Sequence, residues 1–299
     1  FPVYVDLSDL SATFWATTPA GASTVGTDIR VTTDDGSPVE LPRELVSASS
    51  TAETGELHFR ADSISSSVDT VFRIYYNGTT TGDYSTGATY GAEQVWSNNY
   101  ISVYHMDQDP SGGSNAVFDS TVNNFNLSPG GSMTSGDLVS GQLGEGLDFD
   151  GSNDFLINQD HPYLAEYTVS AWTNYSNLDT SIGRIISKRS PDAEADYRET
   201  NYILDIDDTT DRARLTNVSS GGTIVTSTGL TDVQGTGWNL VTGRYDGSNQ
   251  RLATNGSTQD TDSAAAPNSS NVNDNDFRIG NSAYDGSGGF TGQIDEVRI

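Results

Sequence analysis

The chain has 299 residues, 41 of them acidic against 14 basic, with three histidines and no cysteine. Without cysteine there are no disulfides, no thiol catalysis and no cysteine-ligated zinc. A formal net charge of −27 argues against nucleic acid and anionic membranes as partners and favours cations. Hydrophobic residues make up 34 %, and no run approaches the ~20 apolar residues of a membrane span. That composition suits thin sandwiches, whose strands bury alternate residues. Lys188 is the only lysine. An acidic surface almost free of lysine fits a protein of concentrated salt, where hydrated carboxylates maintain solubility, and fits equally an ordinary acidic extracellular protein.

In chain order, Phe1-Pro2-Val3-Tyr4-Val5 reads as a strand already under way, so the start is expected to be a processed boundary. Strands follow at Asp28–Val31, Glu56–Arg60 and Val71–Tyr76, where β-formers alternate or cluster between turn residues. Residues 78–91 are rich in Thr, Gly and Tyr without an apolar period and read as a connector. Beyond it, Tyr167–Trp172, Arg184–Ile186, Tyr202–Ile206 and Trp238–Val241 read as strands. Asp34-Asp35-Gly36, Asp150-Gly151 and Asp246-Gly247 mark turns, and Gly112–Asn115 and Ser263–Asn275 are long polar loops. No amphipathic helix exceeds a few turns. Short strands separated by turns predict an all-β protein of two β-sandwich domains, residues 1–91 and 92–299. Pro2 and the apolar run ending at Ile299 read as strand ends that neighbouring subunits or further chain would cover.

Family resemblance enters on longer stretches. Phe1–Leu7, Gly26–Val31, Glu40–Glu44 and Phe72–Asn77 resemble a small β-domain family of unknown function that often precedes laminin G-like domains. Val103–Asp107, Phe118–Thr121, Gly144–Phe155, Thr168–Trp172 and Gly292–Ile299 resemble a concanavalin A-like, laminin G-like jelly roll. The resemblance implies a secreted, cell-surface or virion protein, as in adhesins and virus tail or spike components, without implying one ligand. It also implies that residues 150–154 and the last strand lie near one another, with a structural calcium in some members.

Three constellations could carry chemistry. Glu194-Ala195-Asp196-Tyr197-Arg198-Glu199 has the spacing of the catalytic strand of jelly-roll glycoside hydrolases, in which two carboxylates ~5 Å apart act as nucleophile and acid. The charged run around it reads instead as a hairpin loop, so no catalysis is expected. Asp150-Gly151-Ser152-Asn153-Asp154 places oxygens around a tight turn, which suits calcium. Strict alternation would set Asp295 on the face of Val297 and Ile299, where a carboxylate needs a cation or several donors. Asp150, Asn153, Asp154 and Asp295 are therefore the candidate calcium ligands. The alternative is that the first three shape a turn and Asp295 accepts backbone N–H groups. Tyr284 and Asp285, in a Gly/Ser-rich loop, are candidate sugar contacts, with a solvated loop as the alternative. Trp96, Trp172 and Trp238 read as core and His105 as structural. Asn77, Asn126, Asn174, Asn217, Asn255 and Asn268 head sequons. The reading is a non-enzymatic recognition module bound to surface polysaccharide or glycoprotein in a larger assembly. A ligand-free scaffold and a glycoside hydrolase are the alternatives.

Overall fold

The computed structural model describes residues 1–17, 25–34, 36–78, 82–176, 182–189, 200–267, 276–282 and 288–299. They form two compact units, Phe1–Val103 with Ser120–Asn124, and Tyr104–Asp119 with Phe125–Ile299. The division falls after Val103, later than the expected residue 91. The segment in between is fastened to the first unit: Arg60 Nη1 donates to the Gln94 carbonyl at 2.7 Å, and Trp96 Nε1 donates to the Glu44 carboxylate.

In the first unit, β1 (Pro2–Asp6), α1 (Ala12–Thr17), β2 (Arg30–Thr33), β3 (Glu40–Leu41), β4 (Arg43–Ser49), β5 (Thr54–Arg60), β6 (Phe72–Tyr75) and α2 (Ala92–Val95) follow in order. They build two antiparallel sheets, β1-β5-β4 and β3-β2-β6. Between β3 and β4 lies Pro42, which has no N–H to lose from a ladder. Val31, Leu41, Leu57 and Phe59 are buried with Leu7 and Ile29, and the short α1 adds Phe14 and Trp15 to the same core.

The second unit is a larger sandwich. From the boundary strand β7 (Val103–Tyr104) onward come β8 (Ser128–Gly130), β9 (Leu138–Ser140), β10 (Glu145–Asp150), β11 (Phe155–Asn158), β12 (Tyr167–Tyr175) and β13 (Gly183–Arg189). Then follow β14 (Thr200–Ile206), β15 (Arg212–Val218), β16 (Ile224–Asp232), β17 (Asn239–Tyr245), β18 (Asn249–Thr254), β19 (Ser257–Ser263), β20 (Asp276–Ile279) and β21 (Thr291–Arg298). One sheet, here the β12 sheet, runs β19-β18-β17-β12-β21-β10-β9. The other, the β13 sheet, runs β16-β15-β14-β13-β20-β11-β8. All pairings described are antiparallel.

The core lies between these sheets. A Cβ built on Gly243 of β17 would meet Leu215 Cδ1 at 2.8 Å and Leu204 Cδ1 at 3.3 Å, so Leu204 and Leu215 point inward from the β13 sheet. Tyr167 of β12 and Tyr202 of β14 bring their rings within 4.7 Å across the same gap. Both expected sandwich layers are present, and among the described residues no helix is long and apolar enough to cross a membrane. The last strand is not an edge. β21 is paired with β12 on one side and β10 on the other, so its own chain covers the strand ending at Ile299. β1 does lie at a sheet edge, where Pro2 is tolerated.

Candidate functional site

The Asp150–Asp154 turn is assembled as the spacing suggests. Asp150, at the end of β10, accepts the backbone N–H groups of Ser152, Asn153 and Asp154 on Oδ1 at 2.8, 3.1 and 3.5 Å. Gly151 takes φ +77°, which an L side chain adopts only under strain. Asp154 is buried; its Oδ2 accepts the Asp150 N–H at 3.2 Å, and its Oδ1 accepts the N–H and hydroxyl of Ser132 at 3.2 and 3.1 Å. The Ser132 hydroxyl also reaches Asn153 Oδ1 at 2.8 Å. Burial pushes the Asp154 carboxyl up, despite these donors. Burial pushes Asp150 up as well, but the three amide bonds outweigh it and hold that carboxyl below the usual range. Asp148 is raised by burial and then by the charges of Asp137, Asp154 and Asp150.

Asp295 does not join this turn. Asp150 is registered with Thr291 and Leu147 with Ile294. Asp295 therefore lies four residues farther along β21 from the partner of Asp150, about 13 Å at the rise of a strand. Its Oδ2 accepts the N–H groups of Gln142 and Leu143, both at 2.8 Å. It does not share the face of Val297 either. On β21, Asp295 opposes Trp172 and Arg298 opposes Ser170, so one extra residue sits on β21 and reverses the alternation. Glu296, within that bulge, has φ +49°. The four residues read as one calcium ligand set thus divide into a turn of three and a separate, amide-bound carboxylate.

Tyr284 and Asp285 lie outside the described residues, as do the Glu194–Glu199 motif and Asn268. The segment that follows the tyrosine loop is closely packed. A Cβ on Gly289 would lie 2.3 Å from the Gly151 carbonyl oxygen, and one on Gly288 would lie 3.1 Å from Arg184 Cγ. Trp96 is buried as expected, but Trp172 is only half-buried, because β12 buries its odd-numbered side chains, and Trp238, just ahead of β17, is half-buried as well. Asn217 is 1 % exposed and its amide nitrogen contacts the Ala265 carbonyl at 3.5 Å, so its sequon is unavailable to a glycan in the folded chain. His105 is buried and pairs through Nδ1 with Glu296, whose other oxygen accepts Arg298 Nε at 3.0 Å.

The arrangement that sequence reasoning missed lies on the outer face of the β13 sheet. Because Leu204 and Leu215 point inward, their neighbours Asp205 and Arg214 point outward, and so does Arg184, which is registered with Asp205. Asp205 is fully buried and bonded on both sides, to Arg184 Nη1 and to Arg214 Nε at 2.8 Å. Arg214 Nη1 continues to Asp207, whose carboxyl is held below the usual range although burial alone would raise it: hydrogen bonds from Thr209 and Thr210 and the Arg214 charge win. On the other flank Arg278 makes a fork to Asp276 at 3.0 and 2.7 Å, and its guanidinium lies 4.4 Å over the Phe155 ring. Thr216 and Thr226 bond hydroxyl to hydroxyl at 3.1 Å nearer the β16 edge. The face is a row of oriented guanidinium, carboxylate, hydroxyl and aromatic groups on packed strands. Such a row can hydrogen-bond a sugar's hydroxyls and stack on its ring, and no nucleophile–base pair is among the groups named. The one sequence sign of it was an aspartate inside the apolar run Ile203-Leu204-Asp205-Ile206.

Residues 149–299 match a laminin G-type family described as the concanavalin A-like lectin/glucanases superfamily. No curated protein matches the chain. Among solved structures, the chain is similar to the binding domain of Paraclostridial Mosquitocidal Protein 1, at 15 % identity and TM-score 0.48, over 67 % of this chain and 48 % of that one. It is similar to domain 4 of AbnA, a GH43 extracellular arabinanase from Geobacillus stearothermophilus solved with arabinotriose, at 19 % and 0.49, over 67 % and 90 %. A third is the CBM40 of Ruminococcus gnavus IT-sialidase bound to sialyllactose, at 19 % and 0.39, over 45 % and 75 %. The matched region spans about half the length of the mosquitocidal binding domain. With 151 of its 299 residues in the family match, and those residues folded into the two-sheet sandwich, the chain belongs to the concanavalin A-like lectin/glucanases superfamily.

Proposed function

We propose that this chain is a non-enzymatic recognition module that binds glycan on an extracellular, cell-surface or virion assembly, using the outer face of the β13 sheet. The observation that carries the reading is the Arg184–Asp205–Arg214 row, hydrogen-bonded across three neighbouring strands and flanked by Arg278 over Phe155. Groups fixed in this way lose little side-chain entropy when a ligand arrives, which favours binding. Tyr284 and Asp285 belong to the proposal as loop contacts. Calcium belongs to it as a structural ion of the Asp150, Asn153 and Asp154 turn, supported by the crowding of Asp148, Asp150 and Asp154; Asp295 is not a ligand in this reading. The first unit acts as spacer or docking piece toward neighbouring subunits.

The test is a broad glycan array probed with the full chain at high salt, followed by titration of each binder. Binding that is lost in Arg214→Gln supports the reading. An array without a binder turns it toward a ligand-free scaffold, and hydrolysis of a bound glycan overturns the non-enzymatic assignment.

A further inference from the structure

Two arginines stand exposed on the outer face of the β12 sheet. On β17 the side chains of Val241 and Tyr245 are buried, and on β18 those of Gln250, Leu252 and Thr254. Arg244 and Arg251 alternate with these and point outward, with 51 % and 44 % of their side-chain surface exposed. They lie directly opposite each other in the β17–β18 register. Thr168 opposes Arg244 on β12, and Thr261 opposes Arg251 on β19. All four are exposed, so one open row across four strands reads hydroxyl, guanidinium, guanidinium, hydroxyl.

Like charges directly opposite on a sheet cost stability, and this chain has only 14 basic residues to place. Asp246 relieves the pair in part: its Oδ2 is 4.0 Å from Arg244 Nη2 and 3.6 Å from Arg251 Nη2. Among the described residues it is the one acid within 4.0 Å of either group. Neither distance is that of a hydrogen bond. Asp246 Oδ1 accepts the N–H groups of Ser248 and Asn249 at 3.3 and 2.9 Å, which fasten it into the turn. Asp260 and Asp262 of β19 face the other way, since they accept the Thr228 N–H at 2.9 Å and the Ser227 hydroxyl at 2.6 Å from β16 of the opposite sheet. Glu166, one residue ahead of β12, lies against Gly247. Two guanidiniums therefore share one acid and hydrogen-bond to none of the described residues.

A carboxylate has two oxygens, and a single guanidinium fork fills both. Two forks whose Cβ atoms are about 5 Å apart suit an anion with three terminal oxygens, a sulfate or phosphate monoester. A phosphate monoester carries close to two charges at neutral pH. A chain of net charge −27 repels it more strongly than a singly charged sulfate. The rest of the face suits a sugar. Ser170 and Thr242 form the next outward row, and Trp172 and Leu240 the one after, about 13 Å from Thr168 along β12. The hydroxyls can bond those of a sugar, and the half-buried indole offers a ring to stack on.

We propose that the outer face of the β12 sheet binds sulfated polysaccharide, with Arg244 and Arg251 together holding one sulfate monoester. The site is separate from the arginine–aspartate row of the β13 sheet and does not depend on it.

The test is biolayer interferometry of the full chain on immobilised dextran sulfate, carboxymethyl-dextran of equal charge density and unmodified dextran. Dextran sulfate is expected to bind most tightly, with an affinity that falls as salt is added. Arg244→Gln and Arg251→Gln, at exposed positions where the melting temperature should not move, should each weaken it about threefold to fivefold, the loss of one exposed ion pair. Asp246→Asn removes the competing charge and keeps an acceptor for the turn, so it should tighten binding. Arg73→Gln, at an exposed arginine of the first unit, should change nothing. Glucose 6-sulfate should displace the polymer at lower concentration than glucose 6-phosphate. No binding of dextran sulfate, or an equal loss in Arg73→Gln, overturns the site. Tighter binding of carboxymethyl-dextran, equal binding of unmodified dextran, or better displacement by the phosphate overturns the sulfate assignment. None of these results bears on the Arg214→Gln test of the β13 face.

Discussion

Acidification should destabilise the larger sandwich through one side chain, His161. Its ring lies parallel to that of Phe277, with centroids 4.1 Å apart and an interplanar angle of 14°, and 5.3 Å from Phe125. It is 2 % exposed. Burial, and then the nearby Lys188 ammonium, lower its pKa from 6.5 to about 3, against a weak contact of Nδ1 with the Pro162 carbonyl at 3.3 Å. The unfolded chain therefore takes up a proton as pH falls through 6.5, and the folded chain does so only near 3. Stability from this group is full above 6.5 and is lost progressively below it. At 1.36 kcal/mol per pH unit, the loss is about 2 kcal/mol by about pH 5 and approaches about 5 kcal/mol near pH 3. Urea unfolding at about pH 7 and about pH 5, for wild type and His161→Leu, isolates the effect from the carboxylates, which titrate in both proteins. The variant should show about 2 kcal/mol less pH dependence over that interval. Parallel pH profiles for the two proteins would falsify the account of His161 as a neutral, stacked ring.

Lys188 should act in the alkaline range: burial lowers its amine from 10.5 to about 8, against the raising charges of Asp276 and Asp160, so the unfolded chain holds more protons between those values. Stability should rise by about 3 kcal/mol as pH passes through that window in wild type and not in Lys188→Met, a difference readable by urea titration. Gly131 has φ +76°, and a Cβ there would lie 1.9 Å from the Asn153 carbonyl oxygen; Gly131→Ala should lose at least about 2 kcal/mol, and a near-neutral result would contradict the packing of the Asp150–Asp154 turn. Asp205→Ala leaves Arg184 and Arg214 without their shared acid and should lose about 3–5 kcal/mol in the same assay, whereas a loss below about 1 kcal/mol would mean that the row is solvated. Excess calcium at fixed ionic strength should raise the melting temperature relative to chelator, a response that Asp154→Ala removes and Asp295→Asn keeps; loss of the response in Asp295→Asn alone would restore the four-ligand set.

Composition, the absence of cysteine and the two-residue alternation of short apolar runs were enough to place the chain as an all-β protein of two sandwiches, because strand formation and face burial are local properties of the pattern. The Asp150–Asp154 turn was legible for the same reason: the hydrogen bonds between its own residues join positions at most four apart, and Gly151 suits its positive φ, although the bonds from Ser132 come from farther along the chain. The tyrosine–aspartate loop at 284–285 stayed a proposal of sequence alone. Asp295 was misplaced because strict alternation was applied across Glu296, where a bulge puts one extra residue on β21, and a bulge is set by pairing with β12, far away in sequence. The arginine–aspartate row of the β13 sheet left one sign in the sequence, Asp205 inside an apolar run, and its other members could not be read. Arg184, Asp205, Arg212 and Arg278 are separated by up to 94 positions in the chain, and only strand order and register bring them onto one face. Local backbone preference determines which residues alternate, but it carries no information on which strand lies beside which, and a binding face is made of that adjacency.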